Sequence, residues 1–315
     1  MSAGSTAGRA AAAPAPPAAG GRRSHGYWRS SLERLMADRG GVAGGGVVLA
    51  MAVLAVAAPL IARIVTHAQY DQTDLLHTFA GPGGQHWLGT DELGRDTLTR
   101  LAYGAQVSLG VGFLAVALYL VIGGAVGIVA GFYRGWLDEV LMRFVDVLLS
   151  VPTIFLLILV ASLLPLRFGP VTVKHDALSL ALVIAVTTWG RVARLIRAEV
   201  LSLRGRDFVV AARSLGATDT RLMLRHLLPN VLPVMVVVAS LGVGAIILLE
   251  AALDFVGLGV PPPTPTWGNM LLNAQTYFFH SWLLVVLPGA CVVVTVVGAN
   301  LFGNAIRDAF DPRII

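Results

Sequence analysis

Residues 101–133 read LAYGAQVSLGVGFLAVALYLVIGGAVGIVAGFY, 33 consecutive positions without a charged side chain. About 20 such residues suffice for a helix to cross the hydrocarbon layer of a bilayer. The run also lacks the apolar–polar alternation of a lipid-facing barrel strand. It is therefore read as a membrane-spanning helix. Outward from it lie four more charge-free runs, over 41–62, 147–166, 227–249 and 255–306. Pro261, Pro262, Pro263 and Pro265 divide the last run, leaving a loop and then a helix. A sixth, shorter apolar stretch covers 177–190 and continues as helix past Arg191, Arg194 and Arg197. The chain is thus expected to be all-α, an integral membrane bundle of six transmembrane helices. Their expected bounds are about 41–65, 105–131, 141–166, 177–198, 229–253 and 281–304.

Composition agrees with that class. Of 315 residues 56% are hydrophobic and 13% charged, and the mean hydropathy is +0.75. A soluble domain carries roughly 25% charged residues, so this chain could not coat a soluble fold. The net charge of +5 is explained by where the arginines fall. With the N-terminus inside, 18 of the 23 basic residues lie on inner segments, as the positive-inside rule requires. Both termini are then cytoplasmic, and the basic balance marks orientation, not nucleic-acid binding. Residues 1–40, rich in Ala, Gly, Pro and Arg, are expected to be a disordered cytoplasmic tail. The first apolar run is read as an uncleaved signal anchor, residues 66–103 as an extracytoplasmic segment with a short amphipathic helix, and 305–315 as a second cytoplasmic tail. In that outer segment Thr90 or Asp91 is expected to cap the short helix through Arg100. The lone Cys291 excludes an intrachain disulfide.

Several chemistries are absent. The only lysine, Lys174, is flanked by Val173 and His175, so no P-loop is possible. No H-E-x-x-H, paired-cysteine or G-x-S-x-G pattern occurs. The chain is not expected to be an enzyme or to bind a cofactor or metal. Carboxylates are nearly missing from the spans, whereas secondary carriers place several there. Glu250 and Asp254, one turn apart near the outer end of span five, are candidates for the translocation path or its outer mouth.

The inner loop between spans four and five, 203–226, reads LRGRDFVVAARSLGATDTRLMLRH. Phe208, Ala211, Ala212 and Leu215 fall at i, i+3, i+4 and i+7, one face of a helix that Asp207 could cap. Gly216 is a helix stop, Thr218 or Asp219 can cap a second helix through Arg225, and Pro229 leads into the next span. The pattern suits a partner-docking hairpin first, with an amphipathic helix on lipid headgroups as the alternative. Gly123, Gly127 and Gly131 form two G-x-x-x-G steps for close helix packing in span two, within the chain or against another subunit. Glu139, Arg143 and Asp146 at i, i+4 and i+7 predict a helical charge ladder.

The loop resembles the EAA loop of ATP-binding-cassette importer permeases: Ala211-Ala212-x-x-x-Gly216, with Leu228-Pro229 twelve residues after the glycine. Val210 stands where that loop has glutamate, and His226 where isoleucine is frequent. Residues 86–96, HWLGTDELGRD, are similar to the H-x-L-G-T-D-x-x-G-R-D segment of the dipeptide, oligopeptide and nickel branch. Residues 255–268, FVGLGVPPPTPTWG, and 225–230, RHLLPN, resemble two further motifs of that branch, with Val256 in place of leucine. The chain is identified on these residues as a member of that branch, in the position of its second permease.

The resemblance implies the six-helix transmembrane domain of a type I importer in a bacterial inner membrane. It implies a second homologous permease, two cytoplasmic ATPases that bind ATP and Mg, and an extracytoplasmic substrate-binding protein. Asp207, Phe208, Ala211, Ala212, Leu215, Gly216 and Pro229 would form the ATPase-coupling element. Di- or oligopeptides are the first expectation for cargo, with nickel, glutathione or another small solute as alternatives. An ATP-independent channel or carrier is the rival outside the class, and it leaves the helix–glycine–helix loop unexplained.

Overall fold

The computed structural model describes residues 27–168 and 171–310. In chain order the helices are α1 (Tyr27–Ala37), α2 (Arg39–Leu60, prolonged by a π-helical turn to Val65), α3 (Thr97–Tyr133), α4 (Gly135–Ser150), α5 (Thr153–Ser162), α6 (Ala177–Leu203), α7 (Asp207–Ser214), α8 (Asp219–Arg221), α9 (Leu228–Phe255), α10 (Ala274–Tyr277) and α11 (Leu283–Phe310). One small antiparallel hairpin joins β1 (Leu166–Phe168) to β2 (Val171–Val173), between α5 and α6. Among the described residues five helical segments are long and apolar enough to cross a membrane, and the bent pair α4–α5 brings the number to six.

The core is an intimate pairing of α3 with α6, flanked by α9, while α2 and α11 pack together on the outside. Glycines explain the first contact. A Cβ on Gly123 would lie 2.7 Å from the Trp189 carbonyl oxygen and 2.8 Å from Val192 Cβ. On Gly127 it would lie 2.7 Å from the Ala193 carbonyl oxygen, and on Gly131 2.8 Å from Val200 Cβ. The three positions recur every fourth residue, so α3 presents one flat stripe and the α6 backbone lies directly on it. In lipid, where apolar burial drives association weakly, such close van der Waals contact carries the packing.

The structure corrects several bounds. Residues 27–37 of the expected disordered tail form α1, which rests on α2 and α11; residues 1–26 lie outside the described residues. The expected single span over 141–166 is two helices bent by 89°. The cause is Pro152: the residue before a proline avoids the helical region, and Val151 is extended at φ −89°, ψ 130°. The short outer helix capped by Thr90 or Asp91 does not form. Asp96 instead caps α3 by accepting the Thr99 amide at 2.8 Å, and α3 starts at Thr97. The loop from 203 is not separated from span five by Pro229. The helix runs from Asp219 to Phe255 without a break, through a π-helical stretch Leu222–Leu227 that absorbs the amide the proline lacks. Likewise α6 extends to Leu203, and α11 extends to Phe310 into the expected tail.

Candidate functional site

At one end of the bundle α7 packs on the π-helical stretch that leads into α9 and lies beside the tip of α3. Gly205 and Arg206 turn the chain out of α6. Arg206, not Asp207, occupies the cap position, and it makes no side-chain cap bond. Asp207 is the first helical residue, where its charge favours the positive end of the helix. Gly216 ends α7 at φ +82°, a conformation that costs glycine little, and Thr218 Oγ1 then accepts the Arg221 amide. The face expected as one apolar stripe is divided. Phe208 is 41% and Leu215 88% exposed, and Ala211 is exposed too, whereas Ala212 is half-buried. The seat is made by Val209, only 1% exposed, which the i, i+3, i+4 pattern does not select.

Two arginines tie this hairpin to the tip of α3. Arg204 donates to the Phe132 carbonyl at 2.7 Å, and the Arg213 guanidinium lies 5.4 Å from the centre of the Phe132 ring. Phe132 thus joins α3 to α7 through its ring and to the end of α6 through its carbonyl. Pro229 and Phe208 line, with Leu203, Asn230 and Pro233, an open notch beside α7.

The charge ladder on α4 is replaced by pairs between helices. Arg197 on α6 makes a forked contact with Asp138 on α4, Nε to Oδ1 at 2.5 Å and Nη2 to Oδ2 at 2.6 Å. Arg194 pairs with Asp146. Among the described residues no ion pair joins Glu139, Arg143 and Asp146. The bend at Pro152 and the facing arginines on α6 explain the change: the α4 carboxylates meet a permanent cation across the interface before one on their own helix.

At the opposite end Glu250 and Asp254 are 0% and 1% exposed, placed in a sealed polar cluster, not in an open mouth. Ser108 on α3 donates to Glu250 Oε1 at 3.0 Å, and the Trp267 amide donates to the same serine oxygen at 3.2 Å. Asp254 accepts the Val260 amide at 2.6 Å and the Thr266 hydroxyl. The Trp267 indole donates to the Leu101 carbonyl at 3.1 Å. These bonds fasten the proline-rich loop after α9 onto the start of α3.

The 86–96 motif is a charge knot beside that loop. Asp91 accepts the Leu93 and Arg95 amides, each at 2.9 Å, and pairs with Arg95 at 2.7 Å and Arg100 at 3.3 Å. Glu92 pairs with Arg95 at 2.7 Å, and His86 Nδ1 lies 3.0 Å from Asp96. Gly94, at φ +71°, sits against the Asp74 backbone, where a Cβ would have no room. Exposed Asp74 is held below the ordinary carboxylate range, chiefly by the His77 ring and then by the Leu76 amide. Burial pushes the nearby Tyr277 phenol up.

Comparisons with known proteins agree on one family. Residues 123–315 match the family described as binding-protein-dependent transport system inner membrane component, and residues 26–82 match the N-terminal TM domain of oligopeptide transport permease C. The chain is 36% identical over 287 residues to the dipeptide transport system permease protein DppC of Alkalihalophilus pseudofirmus, covering 91% of this chain and 90% of that one. It is 33% identical to the oligopeptide transport system permease protein OppC of Bacillus subtilis, covering 93% and 92%. An inward-facing structure of the MetNI methionine ABC transporter aligns with a TM-score of 0.47 at 20% identity, over 65% of this chain and 94% of that chain.

Proposed function

Because the chain belongs to the family of binding-protein-dependent transport system inner membrane components, we propose that it is the C-type permease of an ATP-driven importer of di- or oligopeptides. It is a multi-pass inner-membrane protein that transports and does not catalyse. It forms the translocation path with a second, homologous permease. Two ABC ATPases, which carry ATP and Mg, dock on the α7 end, and a substrate-binding protein delivers cargo to the end bearing the 86–96 knot. The distribution of arginines along the sequence supports a cytoplasmic side for α7 and both termini.

The observation that carries this reading is the division of α7. Val209 is buried in the bundle while Phe208, Ala211 and Leu215 face outward. An exposed Leu at 88% and Phe at 41%, bracketing a small Ala, make a surface suited to a partner's cleft. ATP drives transport only if its binding favours one conformation of the assembly over another. A short helix held rigidly by Val209 and Arg213 transmits such a bias to α3 and α6. Purification of the full chain in mild detergent tests the reading. Recovery of a second permease and P-loop ATPases is expected, with the ATPases lost and the permease kept in Ala211→Asp. Recovery of the chain alone, still moving peptide without ATP, overturns it.

A further inference from the structure

Three arginines stand at three-residue intervals on α6, and two have carboxylates: Arg194 pairs with Asp146, and Arg197 with Asp138. Arg191 has none within ion-pair distance among the described residues. Its guanidinium donates only to Thr153 Oγ1, at 3.4 Å, a neutral partner at the first residue beyond the 89° bend. Arg191 lies 14 residues into α6, about 21 Å from its start at 1.5 Å per residue, so it is the deepest of the three in the span. A cation at that depth is costly unless an anion or water meets it.

Arg191 also lines an open cavity of 520 Å³ between α3, α4, α5, α6 and α9, within the range of small-molecule sites. Four hydroxyls share the lining: Tyr119, Thr153, Thr187 and Thr188. Three have already given their protons to the chain: Tyr119 to the Val238 carbonyl at 3.3 Å, Thr187 to Val183 at 2.8 Å and Thr188 to Ile184 at 2.6 Å. With their protons so used, these hydroxyls can meet a ligand only as acceptors. The remaining wall is largely apolar, with Val192, Ile246 and Leu249 among it. A forked cationic donor, a ring of acceptors and apolar walls complement a molecule with a carboxylate, N–H groups and apolar side chains.

We infer that Arg191 receives the terminal carboxylate of a peptide in transit, while the threonine hydroxyls accept from its N–H groups. The inference rests on the peptide-importer reading and names where in this chain the cargo is held. Arg191 is exposed to the cavity and its one neutral tether leaves most of its donors free, so the contact is loose. A transit site must release as readily as it binds. A lipid headgroup phosphate offers the same anionic oxygens, and the test separates the two sources.

The assembled importer with its binding protein, in liposomes, carries Ala245→Cys in the cavity wall and Cys291→Ser. Labelling by an anionic sulfonatoethyl and a cationic trimethylammonium methanethiosulfonate is timed. Arg191→Gln is expected to lower the anionic-to-cationic rate ratio about fivefold, by removing a local positive potential, and Arg191→Lys to keep it. Saturating trialanine should slow the anionic reagent. ATP-driven trialanine uptake should fall about tenfold in Arg191→Gln and largely return in Arg191→Lys, with binding-protein-stimulated ATP hydrolysis retained. An unchanged ratio, or normal uptake in Arg191→Gln, overturns the inference. Uptake without trialanine protection assigns the cavity to lipid phosphate and overturns it too. A wild-type importer that takes up no trialanine, with a ratio still governed by Arg191, overturns the peptide reading and leaves an anion site.

Discussion

Ser108 donates to Glu250 across 142 residues of sequence, at 3.0 Å in a buried setting, and its oxygen accepts the Trp267 amide in turn. One hydroxyl therefore serves α3, α9 and the loop between α9 and α10. Ser108→Ala strands the buried Trp267 amide and removes a hydrogen bond from the buried Glu250 carboxyl. A buried polar group left unpaired costs about 1–3 kcal/mol. The variant is expected to lower the unfolding midpoint in detergent. Equal midpoints for Ser108→Ala and wild type would show that water replaces the hydroxyl.

The glycine stripe supplies a matched pair of substitutions. Gly127→Ala would put a methyl 2.7 Å from the Ala193 carbonyl oxygen and 2.8 Å from Ile196 Cβ, whereas Gly110→Ala meets nothing within 4 Å. Overpacking costs roughly 1–3 kcal/mol, while an unhindered helical Gly→Ala gains up to about 1 kcal/mol. The two changes should thus move thermal stability in opposite directions. A Gly127→Ala protein as stable as wild type would mean that α3 and α6 can separate without loss.

Much of this was legible in the sequence, for identifiable reasons. The spans follow from long apolar runs, and the α7–Gly216–Thr218 hairpin follows from local chemistry: a left-handed stop and a hydroxyl cap. What the sequence leaves open is tertiary. Val209 looks no different from Val210, yet only Val209 is buried, because which side of a short helix faces the bundle depends on where α3 ends. Asp146 sits well for pairing with Arg143 along α4 and pairs instead with Arg194 on α6, since an intrahelical pair is worth only about 0.2–0.5 kcal/mol. Asp91 looks like a cap, but Gly94 turns the chain so that its carboxylate accepts two amides of its own loop.

The two α4–α6 pairs should differ in worth. The side chains of Arg194 and Asp146 are each 49% exposed, whereas Asp138 is only 10% exposed and is gripped by both arms of Arg197. Exposed pairs contribute about 0–1 kcal/mol, and hydrogen bonds to charged groups about 1.5–3 kcal/mol. A double-mutant cycle on Asp138→Asn and Arg197→Gln is expected to show a coupling above 1 kcal/mol by the same measures. The cycle on Asp146→Asn and Arg194→Gln should show less. The reverse order would place the sealed interface elsewhere.

Acid should loosen the start of α6. Asp176 caps that helix by accepting the Ser179 amide at 2.9 Å, and this bond holds its carboxyl below the ordinary value of 3.8. A folded-state value below the unfolded one means that the stabilisation is fully present above about 3.8 and is lost as pH falls through the lower folded value. Hydrogen exchange at Ser179 and its neighbours should accelerate over that acid window. Asp176→Asn keeps an acceptor and should remove the pH dependence. Asp176→Ala should lose a cap worth about 1 kcal/mol at every pH. An acid response that persists in Asp176→Asn would assign it to another group.

Phe132 is where coupling should fail without loss of assembly. Its ring lies 5.4 Å from the Arg213 guanidinium on α7, and its carbonyl accepts from Arg204, at the end of α6 just before α7, at 2.7 Å, so a shift of α7 pulls on the end of α3. Phe132→Leu keeps an apolar side chain at this buried position, and it keeps the carbonyl bond. It removes the cation–π contact, worth about 0.5–2 kcal/mol. The outward residues Phe208, Ala211 and Leu215 are untouched, so ATPases should still co-purify. The expected result is normal recovery of the complex, with fewer peptides imported per ATP hydrolysed. If Phe132→Leu retains the wild-type ratio while Arg204→Gln lowers it, the carbonyl bond carries the motion and the ring only fills space.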